Sequence, residues 1–137
     1  MKKALILLIS TTMLFCTGCG KDYTTLEDYV NSTEETRREF KKMESDEGDY
    51  IIDVTAEKNN LIYGIQYKNQ LSDTEVETLI PELEMSYAQS GNQFEDMVVS
   101  LEEVTNIDGI QIIIVVCNSD GTQLWSTTYI NEENVTQ

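Results

Sequence analysis

Six successive residues, Ile112-Ile113-Ile114-Val115-Val116-Cys117, are apolar, so a strand built from them presents apolar side chains on both faces. Together with Ile110 they predict the central strand of a sheet over Ile110 to Cys117, and the rest of the chain must be arranged around it. Asn118-Ser119-Asp120-Gly121 supplies turn chemistry, and Leu124 to Ile130, rich in Thr and aromatics, returns as the second strand of a hairpin.

An earlier hairpin is written in alternation. Ile52, Val54 and Ala56 alternate with Asp53, Thr55 and Glu57; Leu61, Tyr63, Ile65 and Tyr67 alternate with Gly64, Gln66 and Lys68. Lys58-Asn59-Asn60 is the turn between them. Helical spacing precedes each hairpin. Leu26, Tyr29, Val30, Thr33, Arg37, Phe40 and Met43 make one amphipathic stripe, opened by a Thr25/Asp28 capping box and ended by Ser45 to Asp49, which predicts a single helix. Ser72 and Glu75 form a second capping box before two stripes of shared phase, Val76 to Tyr87 and Phe94 to Val104. Pro81 should kink this element and Ser90-Gly91-Asn92 is a candidate break, so one bent helix and two helices both stay open.

The order α-β-β-α(α)-β-β predicts an α+β fold, a four-stranded antiparallel sheet with the helices packed on one face. The helix-then-hairpin unit occurs twice.

The N-terminus is expected to be an export signal. Met1-Lys2-Lys3 is positive, Ala4 to Phe15 is apolar, and a stretch of that length is too short to span a bilayer comfortably. Thr17-Gly18-Cys19 resembles the last three positions of the bacterial lipobox, with Cys16 where Leu is commonest. That resemblance implies cleavage before Cys19 and a diacylglycerol on its sulfur, two acyl chains being enough for stable anchoring. The expected organisation is a signal peptide at 1–18, a lipidated tether at 19–24, one α+β domain at 25–131 and a frayed tail at 132–137. Gly20 to Thr24, fully extended, reach roughly 17 Å, so the domain would sit close to the membrane.

Without residues 1–18 the chain carries 25 acids against 7 bases, a net charge of −18, and after Lys68 there is neither Lys nor Arg against 13 acids. Binding to nucleic acid needs cations that displace counterions, so nucleic acid is excluded as a partner. A protein or cationic peptide partner, a polyamine or Ca²⁺ suits such a field, and a solvated acidic surface accounts for it as well. Histidine is absent, which removes the commonest general base and zinc ligand. Cys117, the one thiol beyond the N-terminal segment, reads as a small buried hydrophobe. Cys16-x-x-Cys19 lacks the folded frame and second pair that a metal or redox site needs.

Paired carboxylates (Glu34-Glu35, Glu82/Glu84, Glu95-Asp96, Glu102-Glu103, Glu132-Glu133) fall on predicted exposed helix faces or in the tail, where solvation explains them. Asp53 is placed outward by alternation. No calcium loop, phosphate cradle or nucleophile elbow occurs, so no catalytic residue, metal ligand or cofactor is assigned. Tyr63, Tyr67, Trp125 and Tyr129 are candidates to line one side of the sheet and stack on a sugar or peptide, although core packing accounts for the same four. Arg37, Arg38, Lys41 and Lys42 form a basic cluster on the helix nearest the anchor, a candidate face for anionic head groups, offset by Glu34, Glu35 and Glu39.

Tyr23-Thr24-Thr25-Leu26-Glu27-Asp28-Tyr29-Val30-Asn31, Asn60-Leu61-Ile62-Tyr63 with Tyr67-Lys68, the lipobox and the Asp120-Gly121 turn resemble a family of small uncharacterised lipoproteins of Firmicutes, built on a domain of unknown function. The resemblance covers most of the chain after Cys19 and implies a Gram-positive surface address. It brings no activity and no site residues. The expectation is therefore a non-enzymatic, membrane-tethered binding or interaction module. A small carboxylate-dependent hydrolase or cell-wall enzyme, and an accessory subunit of an envelope complex, are the alternatives.

Overall fold

The computed structural model describes residues 23–134; the expected signal peptide, the expected lipidation site Cys19, the expected tether as far as residue 22 and residues 135–137 of the expected tail lie outside the described residues. The elements are α1 (Leu26–Val30), α2 (Glu34–Lys41), β1 (Tyr50–Glu57), β2 (Asn60–Tyr67), α3 (Asp73–Gln89), α4 (Gly91–Thr105), β3 (Gln111–Cys117) and β4 (Gln123–Ile130), followed by a 3-10 turn at Glu132–Asn134.

The single helix expected from Thr25 to Met43 is two. The capping box opens α1 as expected, with Asp28 N–H donating to Thr25 Oγ1 at 3.1 Å and Thr25 N–H to Asp28 Oδ2 at 3.2 Å. Asn31-Ser32-Thr33 then divides the stripe. Asn31 Nδ2 and Ser32 Oγ donate to carbonyls of the preceding turn, and Thr33, in extended conformation, caps α2 by accepting from Thr36 N–H. Short polar side chains compete with the helical backbone for its own hydrogen bonds, and here three in a row prevail over the apolar spacing. In the middle of the chain α3 continues through Pro81 to Gln89, and the break falls at Ser90 (φ −94°, ψ 1°), so of the two arrangements left open the element is two helices.

Both hairpins form. β1 pairs antiparallel with β2 from Tyr50↔Tyr67 to Glu57↔Asn60, and β3 pairs antiparallel with β4 from Gln111↔Ile130 to Cys117↔Gln123. The sheet order is β1-β2-β3-β4, but β2 and β3 are parallel, from Asn60↔Gln111 to Gln66↔Cys117, which corrects the all-antiparallel expectation. The helical connection carries the chain from the end of β2 back to the level of its start. The next strand therefore runs in the same direction, as in any crossover unit.

Leu61, Tyr63 and Ile65 of β2 lie level with Ile112, Ile114 and Val116 of β3, and all six are buried. The Tyr63 hydroxyl donates to Met43 Sδ (3.0 Å), just past α2, and stands 3.6 Å from Met97 Sδ on α4, so helices of both halves meet over this one face. On the opposite face Ile51, Ile62, Ile113, Val115 and Cys117 are partly exposed and none joins the core, while Asp53 points outward to solvent as expected.

Two buried polar side chains fix the second hairpin. Asn118 accepts from Leu71 N–H (2.8 Å) and donates to Leu71 carbonyl (3.1 Å), joining the β3–β4 turn to the segment before α3. Glu102, expected on an exposed helix face, is buried; it accepts from Gly109 N–H, Ile110 N–H and Asn131 Nδ2. The loop entering β3 turns its amides toward α4, and a carboxylate is the side chain that can accept several of them at once.

Candidate functional site

The end of α3 leaves carbonyls without helical partners. Tyr129 of β4 reaches one of them, its hydroxyl donating to Tyr87 carbonyl at 2.9 Å. This bond draws β4 against the α3–α4 elbow, and rings fill the joint. Tyr87 stacks on Trp125 (centroids 5.2 Å, 29°), and Phe94 stacks on Tyr129 (4.8 Å, 16°). Tyr87 and Phe94 are themselves 6.0 Å apart, so the four rings run continuously from Trp125 to Tyr129. Gly91, first residue of α4, packs beside the Tyr129 ring; a methyl group there would meet Cε1 at 3.6 Å, ordinary contact.

Outside this joint lies an open cleft of about 430 Å³, floored by Trp125, Thr127 and Tyr129 of β4 and walled by Glu84 and Tyr87 of α3 and Glu95 of α4. Trp125 is half-buried. Among the described residues neither Glu84 nor Glu95 has an ion-pair partner, and the elements forming the cleft contain no Lys or Arg.

The phenols around it are held protonated. Burial, and then the charge of Glu95, pushes Tyr129 up to about 12. Tyr67, which does not line the cleft, is also raised to about 12, by burial and then by Tyr50, Asp49 and Glu82. Tyr87 is driven up chiefly by burial, and its hydroxyl oxygen is buried without a hydrogen-bond partner. At neutral pH these groups are hydrogen-bond donors and apolar surface.

The four aromatic candidates thus part company. Trp125 and Tyr129 line the cleft. Tyr63 is fully buried under Met43 and Phe94, and Tyr67 is buried against Tyr50, so neither offers a ring to a ligand. Arg37, Arg38, Lys41 and Lys42 are exposed on α2, where Lys42 pairs with Glu39 and Arg37 Nη2 donates to Asn31 carbonyl. Sequence reasoning passed over Glu84, Tyr87 and Glu95. Tyr87 read as core stripe and the two acids as solvation, and nothing local separates them from the other acids of α3 and α4.

An aromatic floor flanked by two carboxylates without ion-pair partners is chemically able to attract a cation. The π-face of an indole attracts an ammonium or guanidinium group, and the carboxylates supply the complementary charge. Among the described residues no group of three His, Cys, Asp or Glu side chains could hold a metal ion, and no helix is long and apolar enough to cross a membrane.

No curated protein and no solved structure matches the chain. A family model does, over residues 26–129, from the first residue of α1 to the penultimate residue of β4. The chain belongs to the family described as a domain of unknown function, DUF4854.

Proposed function

We propose that this protein is a non-enzymatic binding module, held to the outer face of the cytoplasmic membrane by a diacylglycerol on Cys19, whose cleft beside β4 receives a cationic group of a peptide partner. The observation that carries the binding reading is the meeting of Trp125, Glu84 and Glu95 in one cleft, in a part of the chain without a single basic residue. The charge of the whole chain draws cations toward that cleft and repels anionic polymers. The membrane address rests on the signal-like start and the lipobox resemblance at Cys19.

Trp125 is the sole tryptophan, so its fluorescence reports on the cleft directly. Titration of the full chain with spermidine and with a short oligolysine peptide should change the emission saturably. The double variant Glu84→Gln/Glu95→Gln should weaken both affinities at least tenfold while leaving the thermal midpoint unchanged. Emission that stays constant across both titrations refutes the cleft as a cation site. Intact-mass measurement of protein from native membranes tests the anchor: a diacylglycerol adduct at Cys19 is expected, and an unmodified Cys19 refutes it.

A further inference from the structure

The two edges of the sheet are not alike. At β1 the outer backbone is engaged: Ser45 N–H donates to Ile52 carbonyl (3.0 Å) and Ile52 N–H to Ser45 carbonyl (2.7 Å), while Asp53 and Glu57 bring charge to the strand. Such bridges and charges are how edge strands are protected from pairing with other chains. At β4 they are missing. Gln123–Ile130 reads QLWSTTYI, without charge or proline, in a chain whose net charge is −16. β4 is hydrogen-bonded to β3 alone, and among the described residues the backbone of 124–130 makes no hydrogen bond outside the sheet. The cleft opens along this same strand, on the face carrying Trp125, Thr127 and Tyr129.

We propose that an extended segment of a partner protein adds to the free edge of β4 as a fifth strand, its alternate side chains being Lys or Arg that enter the cleft between Glu84 and Glu95. This rests on the cation-binding reading of the cleft and adds to it the backbone conformation and spacing of the ligand. Successive side chains of a strand point to opposite faces, so residues two apart, roughly 7 Å along the chain, would face the cleft together. Main-chain pairing supplies affinity without sequence preference, and the acidic, aromatic cleft supplies the choice of side chain. Charge complementarity names the partner, because the edge strand of a second copy, β4 itself, carries no cation to set between Glu84 and Glu95.

The probe is a seven-residue peptide of alternating Thr and Lys, blocked at both ends, bound to the full chain and followed by Trp125 emission. In a strand the amides of alternate residues point to opposite edges, so two N-methylated versions are informative, one methylated on the Lys set and one on the Thr set. Strand addition predicts that one version loses at least tenfold in affinity while the other stays within about threefold of the parent. Hydrogen exchange should also slow at residues 124–130 and not along β1. If both methylated peptides bind as tightly as the parent while spermidine still binds, strand addition is overturned and the cation site stands. If spermidine fails too, the cleft reading itself is gone. A dimer by sedimentation that the peptide does not dissociate, with slowed exchange along β4, would also overturn the proposal by giving the edge to a second copy.

Discussion

Each half of the molecule builds a pair of helices and then a hairpin, yet the halves finish their outer strands differently. In the first, α1 docks on the hairpin turn through Glu27 N–H to Lys58 carbonyl (2.9 Å) and Leu26 N–H to Asn59 Oδ1 (3.2 Å), and Ser45 bridges the outer strand. That half also carries every Lys and Arg of the described chain. In the second, the polar clamps point inward, Asn118 to Leu71 and Glu102 to the loop entering β3, and the outer strand is left bare beside an acidic cleft. One supersecondary plan is thus closed at one end of the sheet and open at the other. The difference places the candidate interaction surface at β4.

The largest expected effect tests whether the halves are one cooperative unit. Ile114 sits at the centre of the parallel seam, level with Tyr63 and Thr127 and fully buried. Ile114→Ala should cost about 2–5 kcal/mol in urea denaturation, since a buried methylene loss leaves a cavity as well as a lost transfer term. Met85→Ala, at a side chain 64% exposed, should stay within about 0.5 kcal/mol. Unfolding should remain a single transition in both. A biphasic curve for Ile114→Ala would break the comparison by making the halves separable.

Next is Asn118→Ala. It removes both bonds to the Leu71 backbone and leaves buried amide and carbonyl groups unpaired, a loss of about 2–3 kcal/mol. Hydrogen exchange should quicken in β3 and β4 before β1 and β2. Equal acceleration in both hairpins would mean that the clamp serves the whole sheet and not the second half.

A smaller effect compares the two capping boxes. Thr25 opens a five-residue helix and Ser72 one of seventeen. Each box satisfies orphan amides locally, so Thr25→Ala and Ser72→Ala should each cost about 1 kcal/mol. A clearly lesser loss at Thr25 would show that docking of α1 on Asn59, and not its cap, holds the first helix.

Much of this plan is legible in the residues. Period-two alternation marks both hairpins, and Thr25 and Ser72 announce their helices because caps and turns are local chemistry. Asn31-Ser32-Thr33 also carried a legible signal, three cap-forming residues in succession, but the apolar stripe running through it suggests continuity. The parallel seam was not legible. Strand direction after a helical connection depends on which end of the sheet the chain re-enters, and that is decided by packing of residues such as Phe94, Met97 and Leu101 on β-strands far away in sequence. Glu102 has the local pattern of a solvated acid, and its role appears only once Gly109 and Ile110 turn toward it. The cleft is similarly non-local. Glu84 and Glu95 become a pair only when β4, some thirty residues on, lies beside both.

The smallest effect is expected at Asp120, in the β3–β4 turn and exposed to solvent. Its Oδ1 accepts from Thr122 N–H at 2.9 Å, and its Oδ2 lies 3.4 Å from Gln70 Nε2, in the segment leading to α3. These donors, the Thr122 amide first, hold its carboxyl below the ordinary value of 3.8. A carboxyl whose pKa is lower in the folded chain contributes stability above its unfolded value and loses it as pH falls through the folded one. Asp120→Ala should therefore lower the melting temperature slightly at pH 7, and the gap from wild type should narrow once the pH falls below 3.8. The same turn is held by the buried Asn118, which has no charge to lose, so the deficit of Asn118→Ala should persist across that pH range. If the Asp120→Ala deficit persisted as well, the carboxylate would be acting as a neutral spacer. The turn would then owe its order to Asn118, to the backbone bonds of Gly121 and Thr122, and to Gln66 and Gln70, which reach its backbone.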